Sequence, residues 1–332
     1  MRYLLTGGAG FVGSHLADVL TTRGDHVLIL DDLSTGRREN IEHLVESELV
    51  EFVEGSVLDA DLVDECMRSV DACLHLASPV GVKLVVSQPL DSLQRNVRGN
   101  DIVISSAAAH GCKLLFTSTS EVYGKNSQGA LSEDSDRVLG SPFMARWSYA
   151  TAKAFGEALA HGHWRQNGVP MIVVRLFNTV GPRQSGAYGM VLPRFVRQAL
   201  VGEDLTVYGN GTQSRCFGHV LDTVHAIGLL LESDGAPGNV YNVGSTTEIP
   251  IVELARRVIE RAGSDSKVRL VPYREAYDAG FEDLGRRKPD TTAIEELTGW
   301  APTRTVDEAI DDVIAYEQSS LSARNGNLRL AG

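Results

Sequence analysis

The sequence predicts an α/β fold: a doubly wound parallel sheet of Rossmann type with a smaller C-terminal α/β lobe. Three observations carry this. Short apolar runs alternate with helix-period segments through the first half of the 332 residues. A glycine-rich turn joins the first run to the first helical segment. Beyond Asn178 the alternation lapses into short pieces punctuated by Gly181-Pro182, Gly186 and Gly209-Asn210-Gly211.

Residues 2–6 read as a strand that breaks at Gly7-Gly8. A helix is predicted over 11–20, closed by Arg23-Gly24, and a second strand over 26–30 ends in Asp31-Asp32. Further strands are predicted at 50–53, 72–76, 113–118 and 171–175, with amphipathic helices between them at 59–68, 89–110 and 149–167. Right-handed crossovers cover both faces of such a sheet and put function at the C-terminal ends of its strands. Helices return at 250–262 and 306–318. The expected division is a dinucleotide-binding domain over 1–178, joined by about 217–243, a substrate lobe over 179–318 and a flexible tail over 319–332.

Composition removes several function classes. With 43% hydrophobic and 22% charged residues the chain is not a disordered one. Lys+Arg number 31 against 43 Asp+Glu, a net charge of −12, which argues against a broad nucleic-acid footprint and requires a local basic site for any anionic ligand. No run approaches the roughly 20 apolar residues of a membrane-spanning helix. Four cysteines without C-x-x-C spacing, and no secretory hydrophobic segment, lead us to expect a reducing compartment, the cytoplasm, and no metal.

Two motifs carry chemistry. Gly7, Gly10 and Gly13 have the G-x-x-G-x-x-G spacing between a strand and a helix. Gly7 permits a tight turn, Gly10 lets backbone N–H groups approach a pyrophosphate, and Gly13 allows close helix–strand packing. Asp31 ends the second strand about twenty residues on, where a carboxylate accepts from ribose hydroxyls and repels a 2′-phosphate, so NAD is expected rather than NADP. In Tyr149-Ala150-Thr151-Ala152-Lys153, helical spacing puts Tyr149 and Lys153 on one face. The ammonium is expected to lower the phenol from its usual pKa of about 10, making it a base for a carbinol proton.

With these motifs in place the chain resembles the extended short-chain dehydrogenase/reductases that act on nucleotide sugars, over about residues 1–318. The resemblance implies that Thr119, at a strand end, joins Tyr149 and Lys153. It implies cofactor contacts from Phe11, Val12, Asp32, Ser34, Thr35 and Gly36, from Ser56 and Val57, from Leu76, Ala77 and Ser78, and from Asn96. On the substrate side it implies Asn178 at a diphosphate, Val191, Arg194, Thr206, Val207 and Tyr208 around a nucleotide base, and Arg215 and Arg287 at the pyrophosphate. It also implies a homodimer built on the two long helices, with Ile102, Val103, Ala107, Phe155 and Leu159 compatible with an interface or with burial inside one chain.

Members of this group begin by taking hydride from sugar C4, so the reaction is read from other residues. A 4,6-dehydratase pattern has Asp-Glu after the threonine; here the slot reads Ser120-Glu121, and serine is a poor acid. Thr119-Ser120-Glu121 before Val122-Tyr123-Gly124 is similar to UDP-glucuronate decarboxylases. Arg146-Trp147-Ser148-Tyr149 and the late segment 277–289, with Tyr277 and Arg287, resemble the lipid A-modifying decarboxylase and UDP-apiose synthase. After C4 oxidation a C6 carboxylate is β to a ketone and leaves as CO₂; the product is UDP-4-keto-pentose, UDP-xylose or both. The expected catalytic set is Thr119, Glu121, Tyr149, Lys153 and Arg287, with Glu121 and Arg287 serving C5 protonation. Glu121 is otherwise a structural partner of an arginine, and Arg146 is either a carboxylate contact or a loop cap. Phe281, Met190 and Ser56 depart from the pattern, which has tyrosine, often arginine, and aspartate there. Two other readings stand beside this one: a UDP-hexose or UDP-hexuronate 4-epimerase, and a protein that binds NAD without chemistry.

Overall fold

The computed structural model describes residues 1–46, 48–79, 88–187, 189–276 and 286–330. The first βαβ unit forms as its sequence dictates: β1 (Arg2–Thr6), α1 (Phe11–Thr22) and β2 (His26–Asp31). There follow α2 (Glu42–Val45), β3 (Val50–Glu54), α3 (Ala60–Met67), β4 (Ala72–His75), α4 (Pro89–Ala109), β5 (Lys113–Thr119), α5 (Arg146–Asn167) and β6 (Met171–Leu176). Local chemistry sets the ends. Asp59 caps α3 by accepting from the Leu62 N–H, Pro89 occupies the first turn of α4, and Gly168, at φ +69°, closes α5 in the left-handed conformation.

The second half supplies β7 (Thr179–Val180), α6 (Val191–Leu200), β8 (Leu205–Tyr208), β9 (Ser214–Cys216), β10 (Gly218–His219), α7 (Val220–Glu232) and β11 (Val240–Val243). The chain continues through β12 (Glu248–Pro250), α8 (Ile251–Arg261), β13 (Val268–Val271), α9 (Tyr273–Ala276), α10 (Thr292–Thr298) and α11 (Val306–Leu330). Seven strands form one sheet in the order β11-β6-β5-β4-β1-β2-β3, every neighbouring pair parallel. The order reverses direction between β1 and β4, and that switch point opens a crevice at the strand C-termini.

Neighbouring residues of each strand enter opposite cores, the two-residue period of a sheet buried on both faces. Leu5, Ile29 and Leu115 pack on one side with Val224 and Ile227 of α7. Leu4, Leu30 and Leu114 pack on the other with Val103 and Ile104 of α4. The smaller lobe has its own core, in which Phe195, Leu205, Leu254 and Ile310 meet. Its two-stranded pairs β7–β10, β9–β12 and β8–β13 hold the elements above the crevice.

Two points the sequence left open are filled in here. Helix α11 runs past its predicted end at 318 to Leu330: no proline interrupts it, and the single Gly326 costs only about 1 kcal/mol of helix propensity. Val103 and Ala107 are fully buried within one chain, so they face the sheet and not a partner, whereas Phe155 is 40% exposed.

Candidate active site

The crevice at the switch point is a cleft of about 520 Å³. At one end the glycine turn forms its floor. A Cβ on Gly13 would lie 2.3 Å from the Gly7 carbonyl oxygen, and one on Gly7 would lie 2.7 Å from the Ala77 nitrogen, so neither position accepts a side chain. The turn brings the N-terminus of α1 to the cleft, where its N–H groups and dipole suit a pyrophosphate. Buried Asp31 accepts the N–H groups of Ala9 and Leu33, both at 2.9 Å; burial pushes its carboxyl upward and these bonds oppose the shift. A dinucleotide fits this cradle.

Phe11, Val12, Asp32, Ser34, Thr35, Ser56, Val57, Leu76, Ala77 and Ser78 line the same end. Two expected cofactor residues stand behind the wall instead. Gly36 makes room for Asp31, since a Cβ there would lie 2.9 Å from both carboxylate oxygens. Asn96 accepts from the Ser78 hydroxyl at 2.5 Å and donates to the Ser92 carbonyl at 2.8 Å, so it acts through Ser78. Asn40, which the sequence reading missed, donates to the Ala9 carbonyl at 2.9 Å and braces the turn; a polar residue in a loop gave no signal of that.

Strand β5 delivers Thr119 to the middle of the cleft, and a short 3₁₀ turn, Ser120–Tyr123, places Glu121 beside it. Helix α5 presents Tyr149 and Lys153 from the facing side. Lys153 donates to the Thr117 carbonyl at 2.9 Å and lies 4.9 Å from the Phe116 ring centroid; burial pulls its ammonium down to about 7, with Glu157 opposing. The phenol does not follow the expected downward shift. Burial pushes Tyr149 above its ordinary range, the Ser78 hydroxyl opposes this, and the Glu121 charge adds to it.

Glu121 is the hub of the other end. Its carboxylate accepts from Arg287 Nη1 at 2.7 Å and from Arg146 Nη2 at 3.3 Å, and the two guanidinium side chains are 6% and 4% exposed. Burial raises its carboxyl, but Arg287, then Arg146, and more weakly Arg215 pull it below the usual carboxylate range. Glu121 is therefore held as a carboxylate between two arginines. Arg287 also donates to the Ser120 hydroxyl at 3.3 Å, a contact the sequence reading did not assign. The chain brings Arg287 back across 166 residues by pairing Leu131 with Pro289.

Asn178, Val191, Arg194, Tyr208 and Arg215 line the lobe side, together with Met190. Arg194 lies 4.3 Å from the Tyr208 ring centroid and donates to the Thr206 carbonyl at 3.0 Å. Thr206 itself does not reach the cleft, because its hydroxyl is engaged with Gln198; it contributes by holding Arg194. Gln213, Phe217 and Tyr273 also line this side and were not anticipated. Tyr277 and Phe281 lie outside the described residues.

Comparison with known proteins agrees with this geometry. Residues 3–244 match the NAD dependent epimerase/dehydratase family. The chain is 38% identical over 316 residues to the UDP-N-acetyl-alpha-D-glucosaminuronate decarboxylase of Bacillus cytotoxicus, covering 95% of this chain and 97% of that one. It is 36% identical over 326 residues to UDP-glucuronic acid decarboxylase 1 of Xenopus tropicalis, covering 98% and 74%. Among solved structures, a UDP-glucose 4-epimerase of Thermotoga maritima with UDP-glucose superposes with a TM-score of 0.87 at 27% identity, covering 97% and 100%. The UDP-glucuronic acid 4-epimerase of Bacillus cereus, in complex with UDP-glucuronic acid and NAD, gives 0.86 at 25%, covering 96% and 99%.

Proposed function

The chain belongs to the NAD dependent epimerase/dehydratase family, and from that premise we propose that it is an NAD-dependent UDP-glucuronate decarboxylase. The observation that carries the reading is the ionised cluster of Glu121, Arg287 and Arg146 beside Thr119 and facing Tyr149. A C4-oxidising pair thus adjoins a cationic pocket on the side where C5 and C6 of a bound sugar would lie.

Bound NAD supplies a hydride acceptor and donor for C4, held by the glycine turn, Asp31 and Lys153. Thr119 donates to the C4 oxygen, and Tyr149 takes the hydroxyl proton and later returns it. With C4 a ketone, the C5–C6 bond breaks toward the carbonyl and CO₂ departs, leaving an enolate whose oxygen Tyr149 and Thr119 hold. Glu121, being a carboxylate, does not carry the proton to C5; with Arg287 it orients a water on that face, which delivers a solvent proton to C5. Arg146 faces the leaving carboxylate, and Arg215, Arg287 and Asn178 hold the diphosphate, with fork geometry suited to it. Val191, Arg194 and Tyr208 hold the base.

The same cluster disfavours a 4,6-dehydratase, because Ser120 is engaged with Arg287 and offers no acid. Similarity to an N-acetylated uronate decarboxylase supports a second substrate reading, UDP-N-acetylglucosaminuronate, which differs at C2 and leaves the C4–C6 chemistry unchanged. Incubation with each UDP-uronate, followed by detection of CO₂, tests both: release from neither sinks the decarboxylase reading.

The domain division at residue 178 is part of this reading, supported by the pairing of β11 with β6, which returns 240–243 to the cofactor-binding sheet. So is a homodimer through α4 and α5, supported by exposed Phe155. A cytoplasmic location is supported by four unpaired, buried cysteines; no described helix is long and apolar enough to cross a membrane.

A further inference from the structure

Beneath the cleft lies a titratable residue with no role in the chemistry above. His75, the last residue of β4, is fully buried. Its Nδ1 is 2.7 Å from the Thr6 hydroxyl and its Nε2 is 3.2 Å from Asn100 Oδ1. Asn100 uses its amide nitrogen to donate to the Ala152 carbonyl at 3.1 Å, which turns its oxygen to the imidazole. Nε2 therefore carries the hydrogen and Nδ1 accepts from Thr6. The Thr6 hydroxyl in turn accepts the Ala77 N–H at 3.3 Å. On the other side the Thr117 hydroxyl donates to the His75 carbonyl at 2.8 Å, and the Thr117 carbonyl accepts from Lys153.

These bonds close a ring through β4, β5, α4 and α5, with Thr6 of β1 as a side branch, that reaches Lys153 twice, by its side chain through Thr117 and by its backbone neighbour Ala152. With these partners the bonds are those of the neutral imidazole. A second proton on His75 would displace the hydrogen that Thr6 directs at Nδ1, in a site shared with the Lys153 ammonium. Burial, and then that charge, hold the imidazole down at about 3, with Asn100 opposing, so it stays neutral at any working pH. Among the groups facing it, Phe116 offers only a ring, at 5.8 Å between centroids.

We propose that His75 is a positioning residue for Tyr149 and Lys153, fixing α5 against the glycine turn and setting where the Lys153 ammonium stands. It rests on the reading that Tyr149 and Lys153 oxidise C4, and the test keeps the two apart. His75→Phe fills the space without the bonds; His75→Gln restores one acceptor and one donor. Reduction of bound cofactor by UDP-glucuronate is followed against pH, per NAD-loaded site. His75→Phe is expected to slow it about tenfold or more, with KM within about twofold, and to move the pH midpoint up by about half a unit as the Lys153 ammonium, which burial holds down, moves toward solvent, while His75→Gln recovers both. A wild-type rate and midpoint per loaded site in His75→Phe, whatever its melting temperature, overturn the proposal.

Should His75→Phe fail to fold, Asn100→Ala cuts the link to Ala152 with the ring in place. It is expected to give the same midpoint shift, and an unmoved midpoint counts against the proposal equally. If the wild-type protein does not oxidise UDP-glucuronate, the decarboxylase reading fails, and His75 is judged by hydrogen exchange. Faster exchange across residues 149–156 in the variant that breaks the link, and not in His75→Gln, supports it; unchanged exchange overturns it.

Discussion

Replacing Glu121 by glutamine separates oxidation at C4 from the steps at C5. The carboxylate accepts from Arg287 at 2.7 Å and from Arg146 at 3.3 Å, in a pocket where both arginines are almost fully covered. Hydrogen bonds to charged groups contribute about 1.5–3 kcal/mol each. Glutamine keeps an acceptor for Arg287 but loses the charge that holds both guanidinium groups in place. A loss near about 2 kcal/mol in the C5 steps corresponds to roughly a 30-fold slower release of CO₂. Tyr149 responds in the opposite sense, because the Glu121 charge is one of the causes that raise its phenol. Removing that charge lowers the phenol, and the pH dependence of C4 oxidation moves to lower pH. Glu121→Gln should therefore reduce its bound NAD as readily as the wild type at neutral pH, release CO₂ about 30-fold more slowly, and accumulate reduced cofactor. Absorbance at the reduced-nicotinamide band and trapping of labelled CO₂ in the same sample measure both. A parallel fall in the two signals, or no change in either, would refute the reasoning.

Tyr149→Phe removes the base and should slow reduction of the bound cofactor by about 10²- to 10⁴-fold while NAD remains bound; a wild-type rate contradicts the assignment. Lys153 has its folded pKa pulled down to about 7, well below its ordinary value, so from there up to the ordinary range the unfolded chain holds a proton that the folded one does not. The cost of burying the ammonium is thus fully present below pH 7 and lifts as pH rises. The melting temperature of Lys153→Met relative to wild type should be highest near pH 6 and decline toward pH 10, and a flat difference would count against the shift. Gly13→Ala puts a Cβ 2.3 Å from the Gly7 carbonyl oxygen and must open the turn; purified protein should carry little NAD, and wild-type NAD content would show that the turn tolerates it.

The cofactor half was legible because its signals are local. Gly7 to Gly13, Asp31 and the alternation of strand and helix lie close together in sequence, and each is dictated by turn chemistry or by a period of two or 3.6 residues. Tyr149 and Lys153 were legible for the same reason. The Glu121–Arg287 and Glu121–Arg146 pairs join residues 166 and 25 apart, and no sequence period encodes such contacts. Resemblance named these residues, but only the folded arrangement shows the Glu121 carboxylate between two buried arginines. The direction of the Tyr149 shift was missed because helical spacing shows that Lys153 is near, and not that its ammonium turns to the Thr117 carbonyl while burial dominates the phenol. Thr206, Asn96 and Gly36 do not line the cleft; they stand one layer back, against Arg194, Ser78 and Asp31.

The most direct measurement is incubation of the purified protein with UDP-glucuronate, without added NAD, followed by mass spectrometry of the nucleotide sugars. A product lighter by one CO₂, formed over many turnovers, is the predicted result and shows that bound cofactor is recycled. Unchanged mass would contradict the account, and a C4 epimer of the same mass would put an epimerase in its place.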